Sequence, residues 1–99
     1  MKITELRQYR IKAGKTKQWL SWMKEERSQG MRVLNTYVHT GDDGHDYFVW
    51  LREFDNEQAR QTLYEKTYNE WWVCEIRPKV FELIEQDSIK VTLLESVEM

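Results

Sequence analysis

The stretch that decides the fold of this chain is ITELRQYRIKAGKTKQWLSWMKEE, residues 3–26. Polar and apolar side chains alternate over residues 4–11, which predicts a β-strand, and residues 12–14 have the composition of a turn. Residues 15–27 then place Trp19 and Met23 at helical spacing, which predicts an amphipathic helix. A strand followed by a tight turn and a helix is therefore the opening unit.

A second unit of the same kind begins at the segment HDYFVWLREF, residues 45–54. The β-branched and aromatic residues of 32–40 predict a strand before it, and the Gly-Asp-Asp-Gly sequence of 41–44 predicts a hairpin between the two. The strand at 45–54 has apolar residues on both of its faces. We therefore expect it to lie centrally in a sheet that is covered on both sides.

The rest of the chain supplies helices and a last strand. Asp55 or Asn56 is expected to cap a helix that breaks near residues 67–69, and a further helix should break just before Pro78. Residues 89–97 predict the final strand. The order of elements predicts an α+β fold, the ferredoxin-like βαββαβ sandwich, with an antiparallel four-stranded sheet and helices on one face. One domain is expected over residues 1–99.

Composition narrows the classes of function. The 99 residues carry 15 basic and 17 acidic side chains without a basic stripe, so no nucleic-acid partner is expected. No apolar run approaches the roughly 20 residues that a membrane span requires, so no membrane partner is expected either. The charged N-terminal sequence and the single Cys74 favour a cytoplasmic location. Aromatic residues make up 13% of the chain, which suggests an interface or a lined pocket.

Polar residues of the first strand are one candidate site. Glu5, Arg7 and Tyr9 alternate onto one face, so Arg7 can hold an anionic or carbonyl group while Tyr9 donates a hydrogen bond. The competing interpretation, which we favour from sequence, is a structural ion pair between Arg7 and an acid. Glu5 and Glu53 are the two candidate acids.

The tryptophans are a second candidate site. Trp50, Trp71 and Trp72 either line a pocket or simply form core, and Arg77 is a further candidate hydrogen-bond donor. Cys74 lies beside them and is expected to be a packed thiol rather than a nucleophile. His39 and His45 flank the acidic hairpin, but their spacing matches no structural zinc pattern, so no metal site is predicted.

Several segments in order give this chain a resemblance to the NIPSNAP family, which belongs to the dimeric α+β barrel superfamily. The resemblance covers nearly the whole chain and rests on these residues: Glu5, Leu6, Arg7, Tyr9, Gly14, Trp71 or Trp72, and Arg77-Pro78. It implies a homodimer in which two sheets face each other to form a barrel. Because one layer of helices can cover only one face of the strand at 45–54, we also predict a stable dimer with an interface above about 1,200 Å². The activity of the family is poorly defined.

The superfamily also contains haem-degrading monooxygenases that use an Asn, a Trp and a His. Alignment puts Arg7, Leu63 and Val73 at those places, so no haem and no other cofactor is expected. No catalytic residue is predicted.

The leading hypothesis is a NIPSNAP-like protein that binds a small apolar or aromatic molecule between sheet and helices. Its ligand-binding residues would be Arg7, Tyr9, Trp50, Trp72 and Arg77. One alternative is a cofactor-independent monooxygenase acting on an aromatic or quinone-like substrate, and another is a non-catalytic structural or interaction module. A cavity with convergent hydrogen-bond donors would favour binding or oxygenation, whereas a filled interior would favour the interaction module.

Overall fold

The computed structural model describes residues 2–26, 32–95 and 97. Within these residues the chain forms four β-strands, four α-helices and a short 3-10 helix, Gln86–Ser88. In chain order they are β1 (Ile3–Arg10), α1 (Thr16–Glu26), β2 (Arg32–Thr40), β3 (Asp46–Phe54), α2 (Glu57–Thr67), α3 (Glu70–Glu75), α4 (Arg77–Leu83) and β4 (Lys90–Glu95). None of the described helices has the length and apolar character needed to cross a membrane.

The four strands form one antiparallel sheet in the order β2-β3-β1-β4. This order is that of the predicted ferredoxin-like sandwich, and the central position predicted for β3 is confirmed. β1 and β3 pair with Glu5 opposite Arg52 and with Arg7 opposite Trp50. Because side chains alternate along a strand, this register places those four side chains on the same face of the sheet.

The predicted boundaries differ from the observed ones by one or a few residues. β1 begins at Ile3, and Ile11 forms only an isolated bridge to Ile84. β4 is shorter than predicted, since it begins after Ile89 and ends before Val97. The hairpin of residues 41–44 is confirmed: the Gly41 N–H donates to the His45 carbonyl at 2.9 Å. The end predicted for the first helix, residue 27, lies outside the described residues.

Local sequence explains where the later helices begin and end. The Asn56 side chain accepts a hydrogen bond from the Ala59 N–H at 2.8 Å and so caps α2, and Asn69 caps α3 in the same way. The break predicted before Pro78 is confirmed, because α3 ends at Glu75 and Pro78 lies in the first turn of α4. Proline lacks an N–H and clashes with the preceding turn, so it is tolerated only at such a position.

The described helices all lie on one face of the sheet, which we call the covered face. On β3 the covered face carries buried side chains at every second position, including Phe48, Trp50 and Arg52. The other face, which we call the open face, carries half-buried side chains such as Val49 and Leu51. Within the described residues, only the covered face of β3 has the second layer that its apolar pattern predicts.

Aromatic side chains dominate the core beneath the helices. Trp19 of α1 is only 1% exposed and packs edge-on against both Tyr9 and Phe48, with ring centroids 5.9 and 5.6 Å away. Such edge-to-face pairs are a preferred aromatic geometry. These edge-to-face contacts position α1 over the centre of the sheet. They leave a space between α1 and the helices α3 and α4.

Candidate functional site

A cavity of about 300 Å³ lies between the covered face and the helices. Its walls come from the sheet and from all four helices, and they are mainly aromatic and aliphatic. Seven aromatic residues line it: Tyr9, Trp19, Trp22, Trp50, Tyr68, Trp72 and Phe81. The volume is at the lower end of the range for small-molecule sites, which are typically apolar with a few precisely placed polar groups. We refer to this space as the cavity.

The sheet wall of the cavity carries an ordered hydrogen bond. Trp50 Nε1 donates to the Tyr9 hydroxyl at 3.1 Å, and both residues are 5% exposed. The Tyr9 hydroxyl therefore uses one of its acceptor positions. Its own proton has no acceptor among the described residues, and Tyr9 lines the cavity, so this proton is available to a ligand.

Next to this wall lies a buried group of charges that we call the Glu5 cluster: Glu5, Arg7, Arg52, Arg60 and Tyr64. The Glu5 side chain is fully buried and accepts hydrogen bonds from Arg7 Nε at 2.5 Å, Arg60 Nε at 2.7 Å and the Tyr64 hydroxyl at 2.5 Å. Arg52 Nη1 lies 3.7 Å from the same carboxylate. Glu5 thus acts as the common anchor that positions the arginines.

The Glu5 cluster perturbs the pKa values of its members. Burial opposes the charge of Glu5, but hydrogen bonds from Tyr64, Arg7 and Arg60 outweigh it, so the pKa of Glu5 is lowered. Burial, together with the hydrogen bond to Glu5, raises the pKa of Tyr64 to about 12. Burial disfavours the charged form of Arg7, yet nearby Tyr9, Tyr68 and Glu5 raise its pKa overall. The cluster is therefore an ionised carboxylate held by charged guanidinium groups at neutral pH.

Arg52 is the most enclosed of the arginines, with a side chain only 3% exposed. Its Nη1 donates to the hydroxyls of Tyr64 and Tyr68 at 2.9 Å each, and its guanidinium carbon lies 4.0 Å from the ring centroid of Trp50. Its Nε is buried and has no hydrogen-bond acceptor in the described part of the chain. Arg52 also lines the cavity.

All five predicted site residues line the same cavity: Arg7, Tyr9, Trp50, Trp72 and Arg77. The structure also decides which face of β1 borders it, namely the face with Glu5 and Arg7. Arg7 makes the predicted ion pair with Glu5 and lines the cavity as well, so the two interpretations coexist. The alternative partner Glu53 was wrong, because it alternates onto the open face and binds Arg32 at 2.5 Å there. A role of these residues in ligand binding stays a prediction.

Two other expectations were wrong. Trp71 does not line the cavity and is 59% exposed, and Cys74 is exposed rather than packed. Both follow from helical geometry, since Trp72 and Ile76 of this segment face the interior and Cys74 lies midway between them. The tryptophan pair at 71–72 therefore divides into one interior and one surface residue.

Sequence reasoning missed several residues around the cavity. The helical spacing of Trp19 predicts only a buried helix face, although both Trp19 and its neighbour Trp22 line the cavity. Arg52 follows Trp50 by two positions on β3, so strand alternation would have placed it on the same face. Arg60 and Tyr64 are four apart on α2 and share a helix face for the analogous reason. Strand alternation and helical spacing indicate that these residues share a face, but they do not indicate that the face borders a cavity.

The remaining candidate residues lie elsewhere. Leu63 and Val73, which align with the haem-degrading positions, are half-buried and do not line the cavity. At the hairpin, Asp43 accepts a hydrogen bond from the His45 N–H at 3.0 Å, and Asp46 accepts one from the Thr16 hydroxyl at 2.6 Å. Over residues 2–26, 32–95 and 97, no three His, Cys, Asp or Glu side chains are grouped closely enough to hold a metal ion.

The fold and the cavity together define a ferredoxin-like α+β protein with a ligand-sized space between its sheet and its helices. Solved structures of NIPSNAP proteins have this fold. A NIPSNAP family protein from Agrobacterium tumefaciens is 20% identical, with a TM-score of 0.81 and coverage of 99% of this chain and 95% of that one. An uncharacterized NIPSNAP domain protein from Burkholderia xenovorans is also 20% identical, with a TM-score of 0.79 and coverage of 96% and 94%.

A further Agrobacterium tumefaciens NIPSNAP family protein, of unknown function, is 18% identical and has a TM-score of 0.77, covering 96% of this chain and 87% of that one. No protein-family model and no curated protein matches the sequence. The resemblance inferred from sequence is thus confirmed in the fold.

Proposed function

We propose that this chain is a NIPSNAP-type protein that binds a small apolar or aromatic molecule in the cavity. The observation that carries the proposal is the cavity itself: about 300 Å³ lined by four of the five tryptophans, with Arg7, Tyr9 and Arg52 as hydrogen-bond donors on one wall. An interior filled by side chains would instead have favoured an interaction module. Aromatic walls with few polar groups are typical of sites that enclose a ligand.

The proposed assembly is a homodimer that buries the open faces of two sheets against each other. On the open face Leu6, Val49 and Leu51 are half-buried, while Tyr37 and Leu94 beside them are exposed by 52% and 38%. A soluble monomer rarely exposes a large contiguous apolar patch, so this face favours a partner surface of the same kind. Organisation as one domain and a cytoplasmic location stay predictions from the sequence.

The alternative of a cofactor-independent monooxygenase uses the same cavity. The free hydroxyl proton of Tyr9 supports it, because such a donor would stabilise negative charge on a reduced quinone-like substrate. Both functions require the cavity to admit an aromatic ring, and only the second requires oxygen to be consumed.

Tryptophan emission provides the test, since Trp19, Trp22, Trp50 and Trp72 all line the cavity. We expect one- and two-ring aromatic compounds, titrated with the protein, to change the emission saturably at one ligand per chain. Val80→Phe inserts a ring into the cavity wall and should weaken binding by about tenfold or more. Val91→Phe is the matched control, because Val91 is exposed on β4 and does not line the cavity.

The proposal would be contradicted if no compound of the panel bound saturably, or if Val80→Phe and Val91→Phe weakened binding equally. Native mass spectrometry of the purified protein adds an independent reading, since a retained small molecule should be lost from Val80→Phe only. Oxygen consumption with a hydroquinone, present in the unmodified protein and lost in Val80→Phe, would favour the monooxygenase.

A further inference from the structure

The charged groups that line the cavity all have one sign. Its lining contains Arg7, Arg52 and Arg77, and it contains no Asp or Glu from the described residues. Guanidinium groups donate hydrogen bonds and accept none. A ligand that enters this cavity therefore meets positive charge and hydrogen-bond donors along with aromatic walls.

The Glu5 cluster does not neutralise this charge. Its three guanidinium groups are Arg7, Arg52 and Arg60, and the carboxylates within reach are Glu5 and Glu57, the latter 3.0 Å from Arg60 Nη1. One positive charge is left in excess. Arg60 binds both carboxylates directly, so the excess positive charge lies with Arg7 and Arg52. These two residues also line the cavity.

Arg52 shows the same deficit in its hydrogen bonds. The described partners of its guanidinium are the neutral hydroxyls of Tyr64 and Tyr68, and it lies beyond hydrogen-bond distance of Glu5. Its buried Nε has no acceptor among the described residues. A buried charge with unused donors costs free energy, and an anionic acceptor in the cavity would recover it.

Two neutral donors add to the arginines. Trp19 Nε1 is buried without an acceptor among the described residues, and Trp19 lines the cavity. The Tyr9 hydroxyl has already accepted a hydrogen bond from Trp50, which leaves its proton to be donated. A carboxylate accepts several hydrogen bonds and donates none, so it matches a wall made of donors.

We infer that the ligand of the cavity is a small aromatic acid with a single carboxylate, and this inference rests on the proposed function. The carboxylate binds at the Arg7–Arg52 end, where one positive charge is unneutralised. The aromatic ring lies against the tryptophans, whose faces offer apolar contact. A neutral ring would leave the guanidinium of Arg52 unmatched, and a cationic one would be repelled by three arginines.

The test is a matched series of probes that differ only in the charged group. It consists of 1-naphthoate, its neutral amide 1-naphthamide and the cation 1-naphthylmethylammonium, with benzoate, benzamide and benzylammonium as a one-ring set. Affinity is measured by tryptophan emission and by the ligand-induced rise in Tm. At neutral pH the acid should bind at least about tenfold more tightly than the amide, because charge-assisted hydrogen bonds replace neutral ones. The cation should bind least.

Substitution of the cavity arginines tests which residues cause the preference for the acid over the amide. Arg52→Gln and Arg7→Gln should each reduce the ratio of acid to amide affinity by about tenfold while leaving the affinity for the amide nearly unchanged. Arg32→Gln is the control, because Arg32 is half-exposed on the open face and binds Glu53 there. If Arg52→Gln does not fold, Arg7→Gln and the unmodified protein still give the comparison.

The outcomes separate this inference from the proposed function. Equal binding of acid and amide, or a preference that survives in both arginine variants, would overturn the carboxylate inference while the cavity remained a binding site. Failure of every naphthalene and benzene probe to bind would contradict the proposed function and the inference with it. A preference for the acid that is lost in Arg7→Gln and Arg52→Gln but kept in Arg32→Gln would support both the proposed function and the carboxylate inference.

Discussion

The two faces of the sheet are built from the same strands and yet have different environments. On β1 and β3, alternate residues point to the covered face, where Glu5 and Arg52 are buried with 0% and 2% exposure. The residues between them, such as Leu6 and Leu51, point to the open face and are more apolar but less buried. The face that holds the Glu5 cluster is therefore the buried one. Burial here follows the position of the helices rather than the polarity of the side chains.

Glu5 and Glu53 show what this difference means for a single residue type. Both are ionised acids paired with arginine, and the pKa of each is lowered. Burial is the largest opposing influence on the charge at Glu5, whereas at Glu53 the hydrogen bond from Arg32 is the largest influence. Glu53 is held at the surface by Arg32 and by Lys2 at 3.6 Å. An ion pair in water contributes little to stability, whereas removal of one partner from a buried cluster leaves the others uncompensated.

The largest effect is expected from Glu5→Gln. It removes the common partner of one buried and two half-buried guanidinium groups, so we expect it to lower the free energy of unfolding by about 3–5 kcal/mol at pH 7. Glu53→Gln is the matched control on the open face and should have a much smaller effect. The measurement is chemical denaturation of both variants at the same protein concentration. Equal losses would show that the two faces do not differ as described.

The same pair of variants predicts a pH dependence. The pKa of Glu5 is lowered in the folded state from an ordinary value of 4.5, so its charge stabilises the fold above that pH. This contribution is lost as the pH falls through the folded-state pKa. The difference in Tm between the unmodified protein and Glu5→Gln should therefore be constant near neutrality and shrink below pH 4.5. A difference that grew in acid would contradict the assignment of the charged form.

The next largest effect is expected on the open face. Leu51→Asp places a charge in the proposed interface between two sheets and should raise the dimer dissociation constant by about a hundredfold or more, which corresponds to about 3 kcal/mol. Val91→Asp, on an exposed position of β4 outside that face, should leave the dimer intact. Sedimentation equilibrium distinguishes the cases. If the unmodified protein sedimented as a monomer at micromolar concentration, the proposed dimer would be contradicted.

A double-mutant cycle gives a smaller effect within the covered face. Arg7→Met should cost about 1–3 kcal/mol, less than Glu5→Gln, since Glu5 keeps Arg60 and Tyr64 as partners. The double variant Glu5→Gln/Arg7→Met should lose less free energy of unfolding than the sum of the two single losses. The difference should be about 0.5–3 kcal/mol, because the two side chains are in direct contact. Additive losses would mean that the hydrogen bond between Arg7 and Glu5 contributes nothing.

The smallest effect concerns the helix layer that creates the difference between the faces. Asn56→Ala removes the side-chain cap of α2 and should lower stability by about 1 kcal/mol. Glu65→Ala, at an exposed position of the same helix, should change stability less and serves as the control. Thermal melts at equal concentration are sufficient. An equal loss for Glu65→Ala would show that the effect does not come from the cap.

Much of the fold was predictable because its signals are local. Asn56 and Pro78 define helix boundaries through their own hydrogen bonding and ring geometry, and the glycines of the hairpin do the same for the turn between β2 and β3. The candidate site was predictable only in part. Strand alternation placed Arg7 and Tyr9 together, but the partners of Glu5 on α2, Arg60 and Tyr64, are more than fifty residues away, and no local pattern pairs them.

Trp71 and Trp72 mark the limit of sequence reasoning most clearly. Both are tryptophans in one short helix, and composition alone made them equal candidates for the pocket. A rotation of about 100° per residue turns one ring into the cavity and the other toward solvent. The direction of that rotation depends on where α3 begins, and so on the cap at Asn69 and on the packing of Ile76.

The sequence by itself determined the order of elements, the antiparallel hairpin, the helix breaks and the faces on which side chains lie, because periodicity and backbone chemistry act between neighbours. The tertiary structure alone decided which face the helices cover, and thereby that Glu5, Arg52, Arg60 and Tyr64 meet in one buried cluster beside a cavity. Those residues come from β1, β3 and α2. Their charges can be buried only because the chain brings them within hydrogen-bond distance of each other, and that proximity is a property of the folded molecule.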